Sequence, residues 1–347
     1  MTPTSKYDYL IVGQGLAGSV LAHCLKNAGM SVMVLDNHHS NSSSVVAAGI
    51  INPVTGHRLN LTDGFADFYP SAKAYYAGLE HTLGVELWRT IEQLRLIKNQ
   101  GQLDYFSKRQ EQDDHKEFIS DLEQSAHFPK SNYGVTRIGK TAIVNVATLL
   151  TSIKQWLIDN KSYNSTKVDY TKFEFSSKGV IYKQYAASKL IFCEGYQAIN
   201  NPWLQHLPFK LSKGEVLSVQ ASEPPKELLN WGNWLLPDSR GTNCRLGSNY
   251  AWNDTSLKPD PMIKDQLLSS LKEFTDIDAH VTKLQVGIRP TTKYRKPFIG
   301  ALRQAEHALC FNGFGSKGCL LIPYYAELLV NHLIRETPLP EELNEYL

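Results

Sequence analysis

With 36 lysines and arginines against 34 aspartates and glutamates, the 347-residue chain carries a formal charge of only +2, too even a balance to mark nucleic acid or an anionic membrane as its main partner. That length exceeds one ordinary domain, so two domains, or one elaborated α/β domain, are expected. The five cysteines, Cys24, Cys193, Cys244, Cys310 and Cys319, are dispersed without a CxxC pair, which argues against a disulfide framework and a zinc site.

The first residues, Met1 to Lys6, lack the charged region, apolar stretch and cleavage site of a secretory signal, and no apolar run approaches the roughly 18 residues needed to span a bilayer. A soluble, cytoplasmic protein is expected. Tyr7 to Val12 reads as a buried parallel strand, and Leu16 to Lys26, with Val20, Leu21, Cys24 and Leu25 as its apolar face, as the following helix. Between them stands Gly13-Gln14-Gly15-Leu16-Ala17-Gly18. Gly13 permits the tight turn, Gly15 lets the backbone approach a pyrophosphate, and Gly18 lets helix and strand pack closely, with the phosphate at the helix N-terminus. Ala28-Gly29 ends the helix. Ser31 to Leu35 is a second strand running into Asp36, 23 residues after Gly13 and near the spacing at which a carboxylate meets a ribose hydroxyl. Strand, glycines, helix, strand and acid in this order predict dinucleotide binding.

The polar stretch Asn37 to Ser44 contains His38 and His39, but adjacent histidines in a strand point to opposite sides and no second ligand cluster accompanies them, so no metal site is predicted. The small, apolar Val45 to Pro53 would let a planar group lie close. Phe65 to Leu83 has helical spacing through Phe68, Ala72, Tyr75, Tyr76 and Leu79, an aromatic stripe suited to a core. Leu94 to Lys98 is a strand, and the polar region from Asn99 to Asn132 should contain a helix around Lys116 to Gln124. Gly139 to Val144 suggests a short strand or turn, and Ala147 to Leu157 a helix. Lys167 to Phe175 and Gly179 to Gln184 alternate as an antiparallel pair, and Lys189 to Gly195 is a buried strand ending in a glycine turn. Strands at Leu211 to Ala221, Trp231 to Pro237, Cys244 to Gly247 and Lys283 to Ile288, with one helix at Pro261 to Phe274, predict a mainly antiparallel second sheet. Ala308 to Asn312 is a strand, Gly313 to Gly318 a glycine-rich loop, and Leu320 to Arg335 a helix stopped by Pro338 and Pro340.

Arg289, between Ile288 and Pro290 in Val286-Gly287-Ile288-Arg289-Pro290, has a rigid backbone under it, which suits a planar fork holding a carboxylate in two hydrogen bonds. The order of motifs resembles the FAD-dependent D-amino acid oxidase superfamily (the DAO family), and most closely its glycine oxidase branch. The resemblance runs through Gly13 to Gly18 with Asp36, Ala47-Ala48-Gly49, Lys213-Gly214-Glu215 with Leu217-Ser218-Val219, Gly287 to Pro290 with Lys296 to Gly300, and Gly313 to Gly318. It implies an α/β fold: a Rossmann-type FAD-binding domain of the glutathione-reductase-like kind from 1–75, 140–205 and 286–347, and an α+β substrate domain on an antiparallel sheet from 76–139 and 206–285.

Carried over by position, the resemblance gives Gly13, Gly15, Leu16, Ala17 and Gly18 to the pyrophosphate and Asp36 to the adenosine ribose. Ser43, Ser44, Ala47, Ala48 and Gly49 would line the pyrophosphate and the isoalloxazine, Phe173 would present its backbone to adenine, and Gly195 would join the cofactor site. Gly313, Gly315, Ser316, Lys317 and Gly318 would hold the pyrimidine edge of the flavin. Arg289 would bind the substrate carboxylate, and Trp234 stands near a substrate-contacting tyrosine of relatives. Covalent-flavin relatives carry a histidine where this chain has Val46, or a cysteine near Arg289, so FAD is expected to be non-covalent; Cys319, beside the loop, reads as a buried cysteine. Ser316 replaces a second arginine of glycine oxidases and Trp234 lacks the tyrosine hydroxyl, which leaves the substrate open.

The implied chemistry is hydride transfer from the substrate α-carbon to flavin N5, then imine hydrolysis, on a small amino acid or N-substituted glycine. No acid or base is nominated, since His57, Glu215 and Lys293 have no spacing argument. Two alternatives stand: an oxidase acting on a carboxymethylaminomethyl-modified tRNA uridine, which the near-neutral charge does not favour, and a flavin-binding module without turnover. Oxygen or a quinone would accept the electrons, and oligomeric state stays open.

Overall fold

The computed structural model describes residues 5–37, 42–239, 241–252 and 254–347; Met1 to Thr4 and the His38, His39 pair lie outside the described residues. The first sheet is built on Ser5–Val12, which runs parallel to Val32–Asp36 on one side and Tyr185–Phe192 on the other, with Leu10 opposite both Met33 and Leu190. Tyr163–Ser165 extends the sheet beyond Val32–Asp36. Tyr185–Phe192 is shared: its first half pairs with antiparallel Gly179–Tyr182, which in turn pairs with Phe173–Ser176, and its second half pairs with parallel Ala308–Asn312, beside which Phe298–Ala301 runs antiparallel.

The central strands read as unbroken apolar runs because both faces are covered. On one face Leu16–Asn27, Phe65–Leu83, Val146–Asp159 and Gly318–Arg335 bury Val20, Leu21, Tyr76, Leu149 and Ala326. On the other, Phe173, Tyr182, Phe192 and Leu204 form a second core.

The second sheet has seven strands in the order Ala279–Arg289, Ser212–Ala221, Asn243–Gly247, Trp234–Pro237, Leu228–Asn230, Gln93–Leu96 and Val135–Ile138. All neighbours are antiparallel except Leu228–Asn230 with Gln93–Leu96. Helix Pro261–Phe274 covers one face through Leu267 and Leu271 against Trp231, whose indole donates to Ser270 Oγ at 2.8 Å. Among the described residues no helix is long and apolar enough to cross a membrane.

The predicted helix around Lys116 to Gln124 is not formed. Helices occupy Gln100–Gln110 and Asp113–Lys116, while Ile119 and Glu123 make antiparallel bridges to Ile138 and Val135. The cause is local: the Asn99 side chain accepts from Gln102 N at 3.0 Å and starts the helix early. Residues 119–123 instead cover the Val135–Ile138 sheet edge.

A Cβ on Gly18 would overlap the Gly13 carbonyl oxygen and lie 3.2 Å from Cys193 Cβ. Gly18→Ala should therefore push helix from strand, costing about 2–3 kcal/mol, with a lowered melting temperature and loss of bound flavin. A variant with the parent's melting curve and flavin content would contradict this packing.

Candidate functional site

One cavity of about 1180 Å³ runs from the end of the first parallel strand to the open face of the second sheet. At its first end Gly13 has φ +100°, and a Cβ there would lie 2.6 Å from Cys193 O, so the turn admits only glycine. Helix Leu16–Asn27 opens on the cavity with no side-chain cap from Gly15; its Leu16 N–H donates to Ser44 Oγ at 3.0 Å. Asp36 accepts from Gln14 N at 2.9 Å and from the Tyr163 hydroxyl at 3.4 Å, which sets its carboxylate beside the glycine turn. Glu194 lies close by, accepting from the Tyr170 hydroxyl and Asn201 Nδ2, each at 2.7 Å. Burial pushes its carboxyl up to about 7, and these two donors only partly offset it.

The middle wall is the backbone around Ser43, Ser44, Ala47, Ala48 and Gly49. Gly49 has φ +76° and packs on the Val144 carbonyl with no room for a Cβ. Arg245 reaches from the second sheet to donate to Ala47 O at 2.7 Å and to Val46 O, and Gly287 packs against Val46 and Ser43. These contacts tie the wall to the second sheet.

The closing loop brings Gly315, Ser316, Lys317 and Gly318 into the lining, at the uncapped start of helix Gly318–Arg335. The Lys317 ammonium donates to Thr62 Oγ1 at 3.0 Å, and burial lowers its pKa against the pull of Asp63. Cys319 is buried, and burial pushes its thiol up to about 12, so it stays protonated at neutral pH.

At the far end Trp234 stands over Gly247, where a Cβ would come within 2.6 Å of the indole. The Arg289 guanidinium lies across Gly214, which has no room for a side chain. It donates to Ser248 Oγ at 2.9 Å, Asn249 O at 3.3 Å and Lys213 O at 3.4 Å, and sits 4.2 Å from the centre of the Tyr250 ring. Burial lowers its pKa and Tyr250 works the other way.

Gly13, Gly15, Leu16, Ala17, Asp36, Ser43, Ser44, Ala47, Ala48, Gly49, Gly195, Trp234, Arg289, Gly315, Ser316, Lys317 and Gly318 thus share one cavity. Gly18, Phe173 and Gly313 stand behind its wall. Phe173 pairs with Tyr182 in the antiparallel ladder, the two rings tilted with centres 4.6 Å apart; Thr166, Lys167, Val168 and Tyr170 line the cavity in its place. Gly313 gives its N–H to Asn312 Oδ1 at 2.8 Å. The sequence reading also passed over Glu194, Arg95, Lys98, Asn230, Ser248 and Tyr250. The one available signal was a charge inside an apolar run, as at Arg95 between Leu94 and Leu96-Ile97.

These residues fit FAD: uncapped helix ends and glycine turns for phosphate, a carboxylate at the ribose spacing, and a wall of small residues for a planar ring. The model of the family described as FAD dependent oxidoreductase (DAO) matches residues 8–332. The chain belongs to the DAO family, as an FAD-dependent oxidoreductase. Among curated relatives, the uncharacterized oxidoreductase YurR of Bacillus subtilis (strain 168) is 24% identical, covering 96% of each chain. The DAO-family chain also matches the tRNA 5-methylaminomethyl-2-thiouridine biosynthesis bifunctional protein MnmC of Idiomarina loihiensis at 21% identity, over 96% of its own length and 57% of that protein. Glycine oxidase from Geobacillus kaustophilus superposes with a TM-score of 0.81 at 19% identity, over 98% of both chains, and shows the same fold.

Because Glu194 holds its proton to a higher pH folded than unfolded, it makes the folded state bind more protons between about pH 4.5 and 7, and its own contribution to stability falls as pH rises through that window, while the buried His23 imidazole, lowered to about 4, works the other way. Glu194→Gln should remove that decline. Urea midpoints taken from pH 5 to 8 check it, and an unchanged slope in the variant would show that Glu194 ionises normally.

Proposed function

We propose that the protein oxidises the C–N bond of a small amino acid or N-substituted glycine, with Arg289 holding the substrate carboxylate. The observation that carries this reading is a cation without a counter-ion. Arg289 lines the cavity, every acceptor it meets is a carbonyl or a hydroxyl, and no carboxylate pairs with it among the described residues. A half-buried guanidinium left so is costly until an anion arrives, and its remaining donors form the fork that a carboxylate fills.

FAD, held non-covalently, supplies the hydride acceptor when bound. The chain's own share is positional. Arg289 fixes the carboxylate end, Trp234 and the wall around Ala48 confine the rest, and the α-hydrogen is aimed by that confinement rather than drawn off by a base. The oxidised amine then leaves as an imine that water hydrolyses, and oxygen or a quinone takes the electrons.

A second reading has a specific observation in its favour. Beside Arg289, exposed Tyr250 and Trp252 stack at 6.0 Å, with Lys210 4.9 Å from the Trp252 ring. An aromatic ledge with cations suits a nucleobase, which accords with the MnmC likeness and with a modified tRNA uridine as substrate.

Arg289→Ala should raise the concentration of a carboxylate substrate needed for half-maximal rate at least about a hundredfold, with a smaller change in kcat, since a charge-assisted pair is lost in ground and transition states alike. An unchanged KM would remove Arg289 from the site.

A further inference from the structure

A second cation, this one buried, lies in the same cavity. Arg95 is in Gln93–Leu96, a strand whose residues are all buried, and is itself only 7% exposed. It donates to Gly56 O at 3.2 Å and to Asn230 Oδ1, both neutral, while its Nε has no partner among the described residues. Burial alone lowers its pKa, to about 10, so it remains charged at neutral pH with no acid nearby to offset it. Lys98 stands on the same lining, and the Arg95 charge adds to burial in lowering its pKa, with Glu273 pulling the other way. A buried cation such as Arg95 does not stabilise the strand that carries it; leucine would serve better there.

We propose that Arg95, with Lys98 at the mouth, forms a second oxyanion subsite, so that the substrate carries a carboxylate or phosphate distal to the group held by Arg289. This rests on the amine-oxidation reading for the identity of the near end of the ligand. Sheet order sets the span. The Arg289 guanidinium lies over Ser212–Ala221, and Gln93–Leu96 is the fourth strand from it, about 19 Å away at the usual spacing. Arg95 reaches toward Asn230 on the intervening neighbour, and the register sets it in line with Val216, two residues along from Gly214, which leaves about 16 Å between the guanidiniums. Two oxyanions seated against them stand about 8 Å apart, with Trp234 facing the chain that joins them. The geometry thus selects a diacid with several atoms between its charges over glycine itself.

The test is a titration of FAD-loaded protein with straight-chain dicarboxylates from succinate to suberate, with monocarboxylates of equal length, and with the matching phosphonocarboxylates, read by perturbation of the flavin absorbance. A dicarboxylate of intermediate length should bind at least about tenfold tighter than its monocarboxylate. Arg95→Met should abolish that difference, and Lys98→Gln, at an exposed position, should reduce it. A stronger response to the phosphonates would assign the distal group as phosphate; a stronger response to the dicarboxylates would assign it as carboxylate. Equal affinity of mono- and dicarboxylates for the unaltered protein would overturn the subsite, as would an advantage that survives Arg95→Met. If Arg95→Met does not fold, the unaltered protein and Lys98→Gln decide. None of these ligands has an amine, so the result stands apart from whether any amino acid reduces the flavin.

Discussion

Backbone rests directly on backbone where Gly18 of the first helix meets the carbonyl of Gly13, and the cavity is framed from that contact outward. It sets how closely helix Leu16–Asn27 lies on the first sheet, and so where the helix N-terminus points. The same economy recurs along the site. Gly49 lies on Val144 O, Gly287 on Val46 and Ser43, Gly247 under Trp234, and Gly214 under Arg289. Each removes a side chain at the place where a cofactor-facing segment or a substrate-facing side chain must sit close. The wall around Ala47 and Ala48 is then held from the other sheet by Arg245, whose two donors replace what regular secondary structure would otherwise supply.

Charge is divided along the cavity. Asp36 and Glu194 stand at the glycine-turn end, and Arg289 and Arg95 at the end under the second sheet. Strand alternation explains how this is done around Gly214: its neighbours Lys213 and Glu215 point to the opposite face. There Lys213 bonds Asp254 at 2.6 Å and Lys258 O at 2.7 Å, while Glu215 accepts from Asp260 N at 2.7 Å. That network occupies the Lys213 charge and anchors Asp254, Lys258 and Asp260, while Asn249, held by Glu215 N, feeds the Arg289 contacts. Arg289 and Arg95, which face the cavity, have no such carboxylate partner among the described residues.

What could be read from the chain alone follows the range of the forces involved. The first strand, helix and second strand were legible because strand period, glycine turn and helix face are all local, and so were Phe65–Leu83, Pro261–Phe274 and Gly318–Arg335. The helix expected near Lys116 failed because an Asn99 cap and the Val135–Ile138 edge compete for the same polar stretch. Arg95, Asn230 and Trp234 meet through strand register between segments more than a hundred residues apart, and nothing local encodes that pairing. Phe173 falls outside the cavity lining for a related reason: its strand is the outermost of the first sheet, set there by pairing with Gly179–Tyr182.

The central claim is that an anion anchored at Arg289 delivers an amine to the flavin. It is tested most directly by anaerobic addition of glycine, sarcosine, D- and L-amino acids and N-carboxyalkyl glycines to the FAD-loaded protein, watching the long-wavelength flavin band. Bleaching by at least one carboxylate-bearing amine, and not by its amide, is the predicted result. Bleaching that ignores the carboxylate, or none with any of these compounds while flavin stays bound, would contradict the account.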